Sequence, residues 1–129
     1  MTQHVIFFND NQEIKRRTSG AYRMANKMQQ LGWRTTVVDW VSAWSQQELE
    51  QYLDRVVGPD TQLFAISYTW MKSTWTQQFI TQLRSRYPQC KIIVGGQQFY
   101  QTALGADICM FGYAELAIEH ARSEERRVG

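Results

Sequence analysis

Short, continuously apolar runs recur along the 129-residue chain, and longer stretches with helical periodicity separate them. A strand without polar alternation is expected where helices cover both faces of a sheet, as they do in parallel sheets. The alternation therefore predicts an α/β domain in which a crossover helix follows each strand. The predicted strands are residues 5–8, 35–38, 63–66, 91–94 and 108–111.

The stretches between these runs carry helix signals of their own. Apolar residues recur every three or four positions between residues 21 and 31, and Gly32 follows as a helix stop. Ser45 and Glu48 have the spacing of a capping box that opens a second helix. A third helix is expected to end before Pro88, and a last one to begin near Ala114. The pattern favours a three-layer αβα sandwich with five parallel strands in the flavodoxin-like or Rossmann-like order 2-1-3-4-5.

Composition excludes several classes of protein. The hydrophobic fraction of 43% suits one folded domain, and a net charge of +2 gives no electrostatic case for nucleic acid. Cys90 and Cys109 lack metal-ligand or redox spacing, so we expect buried free thiols in a reducing compartment. No stretch reaches the ~20 apolar residues of a membrane span, and no secretory signal is visible. A cytoplasmic protein without a membrane partner is the expectation.

Ligands of open parallel sheets bind beyond the carboxyl ends of the strands. Residues 9–19 contain no glycine, which excludes a dinucleotide fingerprint or a P-loop after the first strand. A phospho-receiver would end its third strand in aspartate, whereas this chain has Ser67 and Thr69 there. Thr18 and Ser19 could hold a flavin phosphate, but such residues more often only cap a helix. Gly95, Gly96 and Gly112 either permit tight turns or, taken with the hydroxyl residues, leave a groove for a large, flat-sided ligand.

Several segments together resemble a known family. Residues 91–96 read Lys-Ile-Ile-Val-Gly-Gly, residues 106–107 read Ala-Asp, and residues 112–115 read Gly-Tyr-Ala-Glu. This series resembles the second half of the cobalamin-binding domain at the N-terminus of many radical S-adenosylmethionine enzymes, with Ala114 in place of a glycine. Residues 20–25, 31–33 and 37–39 are similar to its first half, so the resemblance extends from residue 4 to about 121. It implies a cobalamin site formed by Arg17, Gly20, Ser67, Tyr68, Thr69, Gly95, Gly96, Gly112 and Tyr113.

The resemblance also bears on the cobalt. Cobalamin-dependent mutases carry Asp-x-His-x-x-Gly after the first strand, and its histidine ligates the metal. If Gly20 is that glycine, Lys15 and Arg17 stand at the aspartate and histidine positions, and arginine has no lone pair for a metal. His4 is expected as a half-exposed strand residue and His120 as a surface helix residue. Cobalamin is therefore expected to bind without histidine ligation.

The sequence contains no recognisable catalytic motif. The Cys-x-x-x-Cys-x-x-Cys cluster motif is absent, and no nucleophile–base pair stands out. The resemblance then implies that the iron–sulfur cluster and S-adenosylmethionine belong to a C-terminal barrel absent from this chain. We expect residues 1–121 to form the cobalamin-binding-like domain of a fragment, and 122–129 a non-native or disordered tail. The alternative is a ligand-free interaction domain, because Trp40, Trp44, Trp70 and Trp75 lie on or near the carboxyl-end loops.

Overall fold

The computed structural model describes residues 3–10, 20–67, 72–96 and 105–111. A parallel sheet runs through this part of the chain in the order β2-β1-β3-β4-β5. The predicted α/β architecture with a parallel sheet is confirmed. The strands are β1 (His4–Phe8), β2 (Arg34–Val38), β3 (Thr61–Ser67), β4 (Lys91–Gly96) and β5 (Ile108–Phe111). The helices are α1 (Gly20–Gln30), α2 (Gln46–Val56) and α3 (Ser73–Arg86), and Val41–Ala43 forms a 3₁₀ turn.

Two apolar cores lie on opposite faces of the sheet. Alternate residues of β1 point to opposite sides, so Ile6 and Phe8 join the core under α2 and α3, while Val5 and Phe7 join the core under α1. All of β1 is buried, as expected for a central strand covered on both sides. The helices on the two faces and the sheet between them thus form the three layers that the continuous apolar runs predict.

The residues that the sequence predicts to begin α2 and to end α1 do so in the structure. Ser45 Oγ accepts a hydrogen bond from the Glu48 amide at 3.1 Å, and Glu48 Oε1 accepts one from the Ser45 amide at 3.3 Å, which completes the capping box. Gly32 follows α1 with φ +94°, a left-handed conformation that a β-carbon would strain. Strands β1 to β4 extend beyond their predicted limits because polar and glycine residues continue the backbone ladder without contributing to the apolar pattern, whereas β5 has the predicted limits.

The prediction for His4 is wrong. The side chain is fully buried rather than half-exposed, because its ring lies between hydroxyl groups of the two neighbouring strands. Nδ1 is 2.8 Å from Thr61 Oγ1, and Nε2 is 2.8 Å from Thr36 Oγ1. These bonds compensate the desolvation of the ring nitrogens.

The prediction for Cys90 as a buried free thiol is confirmed. Its Sγ donates to the Thr61 carbonyl oxygen at 3.3 Å, and burial raises the pKa of the thiol to about 11. The side chain of Cys109, the predicted last helix near Ala114, His120 and the tail at 122–129 lie outside the described residues.

Candidate functional site at the carboxyl edge of the sheet

Four residues form a row across the carboxyl edge of the sheet. Ser67 at the end of β3 pairs in register with Gly95 of β4. On the other side of β3, Phe8 pairs with both Ile66 and Val38, so Asn9 lies level with Ser67 and with Asp39. The row Asp39–Asn9–Ser67–Gly95 thus carries short polar groups and one glycine over the central strands, where open parallel sheets bind ligands.

The described part of the predicted site leaves room at this edge. Gly95 has space around it, since a β-carbon built there would meet nothing within 4 Å apart from its chain neighbours. Gly96 is the last residue of β4 and pairs with Phe111. Gly20 begins α1, the helix that follows β1. The register brings Ser67, Gly95 and Gly96 together; the other members of the predicted site, Arg17, Tyr68, Thr69, Gly112 and Tyr113, lie outside the described residues.

The end of β1 contributes two residues that the sequence reasoning missed. Asn9 and Asp10 are buried, with exposed fractions of only 1% and 4%. Asn9 Nδ2 donates to Asp39 Oδ1 at 3.2 Å, and Ser42 Oγ donates to Asp10 Oδ2 at 2.5 Å. The signal was available: two polar residues directly follow a continuous apolar strand, on the side of the sheet where ligands bind.

The turn after β2 is strained. Trp40 has φ 53° and ψ 44°, and it is the only positive-φ residue other than glycine in the described ranges. A bulky residue in this region costs on the order of 1–3 kcal/mol and is held there by its surroundings. Asp39 supplies that support, because its Oδ1 accepts the Trp40 amide at 3.0 Å and its carbonyl accepts Trp44 Nε1 at 3.2 Å. Trp40 remains 45% exposed.

The opposite, amino edge of the sheet holds two residues that sequence patterns single out. His4 is four residues before the end of β1, about 13 Å along the strand. Asp107 belongs to the Ala-Asp motif of the family resemblance, and its Oδ2 accepts the Ile92 amide at 2.7 Å. Its Oδ1 forms an ion pair with Arg84 at 3.1 Å. Asp107 therefore fastens the start of β5 to β4 and α3, away from the carboxyl edge.

A groove between α2 and α3 lies on a helical face rather than at the sheet edge. The Trp75 ring stacks on Phe79 with 5.0 Å between centroids, and Trp44 lies 5.3 Å from Tyr52. Both tryptophans are half-buried against the core under α2 and α3. Of the described tryptophans on or near the carboxyl-end loops, Trp40 is therefore the exposed one.

No group of three or more His, Cys, Asp or Glu side chains within the described ranges is arranged to hold a metal ion. Among the described helices, none has the length and apolar character needed to cross a bilayer.

The sheet order and the helices on both of its faces define a doubly wound α/β domain of the Rossmann or flavodoxin type. The fold is similar to that of a cobalamin-binding protein from Desulfitobacterium hafniense DCB-2, with a TM-score of 0.70 and 10% identity over 95% of this chain. This chain spans 58% of the length of that protein. It is also similar to the TrkA-N domain of the inner membrane protein ybaL from Escherichia coli, with a TM-score of 0.53, 13% identity, and coverage of 95% of this chain and 96% of that one. Neither a protein-family model nor a curated protein matches the sequence.

Proposed function

We propose that this chain is a corrinoid-binding module that presents cobalamin to a catalytic domain. The observation that carries the proposal is the open carboxyl edge where Ser67 pairs with Gly95. The family resemblance of residues 91–96 falls on the same edge. A fold shared with a cobalamin-binding protein over 95% of the chain supports the same function.

The described residues fit a bulky cofactor in one specific respect. Gly95 lacks a side chain where a β-carbon would meet no neighbouring atom, so the space beside its backbone is available to a ligand. In the proposal, Ser67, Gly95 and Gly96 flank the nucleotide tail, with Thr69 beyond the end of β3. Tyr68, Gly112, Tyr113, Gly20 and Arg17 complete the site around the corrin.

The positions of the candidate ligands decide whether a histidine of this chain can ligate cobalt. His4 is buried near the amino edge, with both ring nitrogens engaged by Thr61 and Thr36. Arg17 stands where the family's histidine would fall, and a guanidinium does not ligate metals. Cobalamin would therefore be bound without histidine ligation by this chain. Cobalamin supplies the cobalt–carbon chemistry when bound, and this chain's residues contribute its placement and surroundings.

The catalytic partner is proposed to be a radical S-adenosylmethionine barrel in the cytoplasm. In that arrangement the barrel provides the iron–sulfur cluster and S-adenosylmethionine, and its substrate faces the exposed side of the corrin. The resemblance of residues 91–115 supports this partner. Its presence is tested by asking whether the barrel domain of such an enzyme forms a complex with this chain only when cobalamin is present.

Cobalamin titration followed by ultraviolet-visible spectroscopy tests the binding proposal. Gly95→Val should abolish binding, because the valine side chain fills the proposed ligand space. The variant should still fold, since a β-carbon at this position meets no neighbouring atom within 4 Å. Ser67→Leu should weaken binding at least about tenfold, equivalent to 1.4 kcal/mol. A bound spectrum that changes in His4→Gln but not in Gly95→Val would place the cofactor elsewhere.

Gly58→Ala is the matched control at the opposite edge of the sheet, where a β-carbon would lie 3.1 Å from Asp60 Oδ1. Its cobalamin affinity should equal that of the wild type. Circular dichroism must show each variant to be folded before its affinity is interpreted.

A ligand-free interaction domain is the second candidate, and the exposure of Trp40 favours it. An indole that is 45% exposed on a strained turn can dock against a partner domain as well as against a cofactor ring. The two candidates separate in one experiment. Trp40→Ala would weaken association with a barrel domain in the absence of cobalamin only if the interaction-domain function is correct.

A further inference from the structure

One oxygen of Asp10 has no partner although it is buried. Among the buried side-chain atoms of the described residues, Asp10 Oδ1 lacks a hydrogen bond, while Oδ2 of the same carboxylate accepts from Ser42 at 2.5 Å. A buried acceptor without a donor is destabilising, and native structures rarely leave one unsatisfied. Asp10 therefore has unused hydrogen-bonding capacity at the carboxyl edge of the sheet.

The backbone holds this carboxylate in place. The Asn9 amide donates to the Val38 carbonyl at 2.9 Å, and the Val41 amide donates to the Asn9 carbonyl at 3.0 Å. These bonds tie the end of β1 to the turn after β2, and Ser42 of that turn fixes the rotation of the Asp10 carboxylate. An acceptor oriented in advance binds a donor with little further loss of conformational entropy.

The same turn carries the exposed indole of Trp40. Strain of this kind is concentrated at binding sites, where surrounding contacts maintain it. Two independent features, an unsatisfied buried acceptor at the end of β1 and a strained exposed aromatic residue in the turn after β2, thus occur on two hydrogen-bonded segments of the edge where the cofactor is proposed to bind.

We infer that Asp10 Oδ1 accepts a hydrogen bond from a side-chain amide at the periphery of the corrin ring, and that Trp40 lies against the same flank of the ligand. This inference rests on the proposed function. Corrin side chains end in primary amides, whose N–H groups are donors, and a carboxylate forms the stronger class of hydrogen bond with them. Since Oδ1 is shielded, the amide reaches it only when the side chains that cover Oδ1 move aside, while the bonds of Asn9 and Ser42 keep the carboxylate itself in place.

The test uses cobalamin monocarboxylic acids, in each of which one corrin amide has been hydrolysed to a carboxylate. In one of these acids, the hydrolysed amide is the one that contacts Asp10. Binding of that acid brings its new carboxylate next to the Asp10 carboxylate. The acid should bind the wild-type chain at least about tenfold more weakly than cobalamin does. Asp10→Asn should reduce this penalty to less than about threefold, because its amide can donate to the ligand's carboxylate.

Asp60→Asn is the matched control. Asp60 lies at the amino edge, paired with Arg34 at 3.0 Å, and its substitution should leave the penalty unchanged. If Asp10→Asn does not fold, as judged by circular dichroism, Asp10→Ser replaces it, because a hydroxyl also removes the negative charge.

Each remaining outcome overturns the inference in a distinguishable way. If the wild type binds cobalamin and every monocarboxylic acid equally, or if the penalty persists in Asp10→Asn, the Asp10 contact is wrong and the proposed function stands. If the wild type does not bind cobalamin in any form, both are wrong. A thermal stabilisation by MgCl2 or KCl that is lost in Asp10→Asn would assign Oδ1 to a cation instead of an amide.

Discussion

At the scale of single residues, His4 links the stability of the fold to pH. Burial lowers the pKa of its imidazole below 6.5, the nearby Arg34 guanidinium lowers it further, and Asp60 acts in the opposite sense. The hydroxyl groups of Thr36 and Thr61 complete its surroundings. Since the unfolded chain binds this proton more readily, the stability contribution is complete above about pH 6.5 and is lost as pH falls through the folded-state pKa.

Urea denaturation at pH 7.5 and pH 5.0 checks this behaviour. The wild type should have a lower free energy of unfolding at pH 5.0, and His4→Gln, which carries no titrating ring, should show a smaller difference between the two pH values. Keeping the pH at or above 5.0 limits contributions from carboxylates. Equal differences in the two proteins would mean that His4 is not the group responsible.

His4 and Asp10 also mark the limit of what single residues reveal before folding. Both are polar and flank an apolar run, so local pattern suggested exposure or a loop. Their burial depends on partners far along the chain: His4 contacts Thr61 and Thr36, at separations of 57 and 32 residues, and Asp10 contacts Ser42, also at 32. Ser67, Gly95 and Gly96, in contrast, could be assigned to the carboxyl edge because their position follows from strand direction alone.

At the scale of elements, the capping box of α2 is a local signal that the sequence states in full. Ser45→Ala should lower the free energy of unfolding by about 1 kcal/mol, because the Glu48 amide loses its acceptor at the helix start. Ser85→Ala, an exposed substitution inside α3, is the matched control and should be neutral or slightly stabilising. Chemical denaturation of both variants measures the difference, and a Ser45→Ala effect no larger than that of Ser85→Ala would contradict the role of the box.

The Ala-Asp motif before β5 illustrates a signal whose meaning the sequence leaves open. The motif carries part of the family resemblance without an assigned role, and in the structure Asp107 binds the Ile92 amide and Arg84 near the amino edge. Asp107→Ala should therefore destabilise the fold by about 1–3 kcal/mol, since the buried strand β4 loses an acceptor for one of its amides. Cobalamin affinity measured on the folded fraction should stay at the wild-type value. A loss of affinity without a loss of stability would mean that Asp107 acts at the ligand site.

At the scale of the whole molecule, the sheet joins two cores that share no side chains. The continuous apolar runs predict this arrangement, because every second residue of a central strand must enter a different core. Which helix covers which face follows from the handedness of the crossovers and not from any single residue. The layers could therefore be predicted from the sequence. The hydrogen bonds around Asn9, Asp10 and Ser42 could not, because they depend on the register of β1 against β2.

Unfolding should be a single transition to which both cores contribute independently. Ile6 belongs to the core under α2 and α3, and Ile93 belongs to the core under α1. Ile6→Val and Ile93→Val each remove one buried methylene group and should each cost about 0.5–1.5 kcal/mol. Because the two side chains lie on opposite faces, and β3 separates β1 from β4, the double variant should show the sum of the two effects to within about 0.5 kcal/mol.

Near- and far-ultraviolet circular dichroism should report one coincident transition in all three variants. Two separated transitions would mean that the two faces of the sheet do not unfold as one cooperative unit. A sum that departs by more than this margin would mean that the two cores are energetically coupled rather than independent.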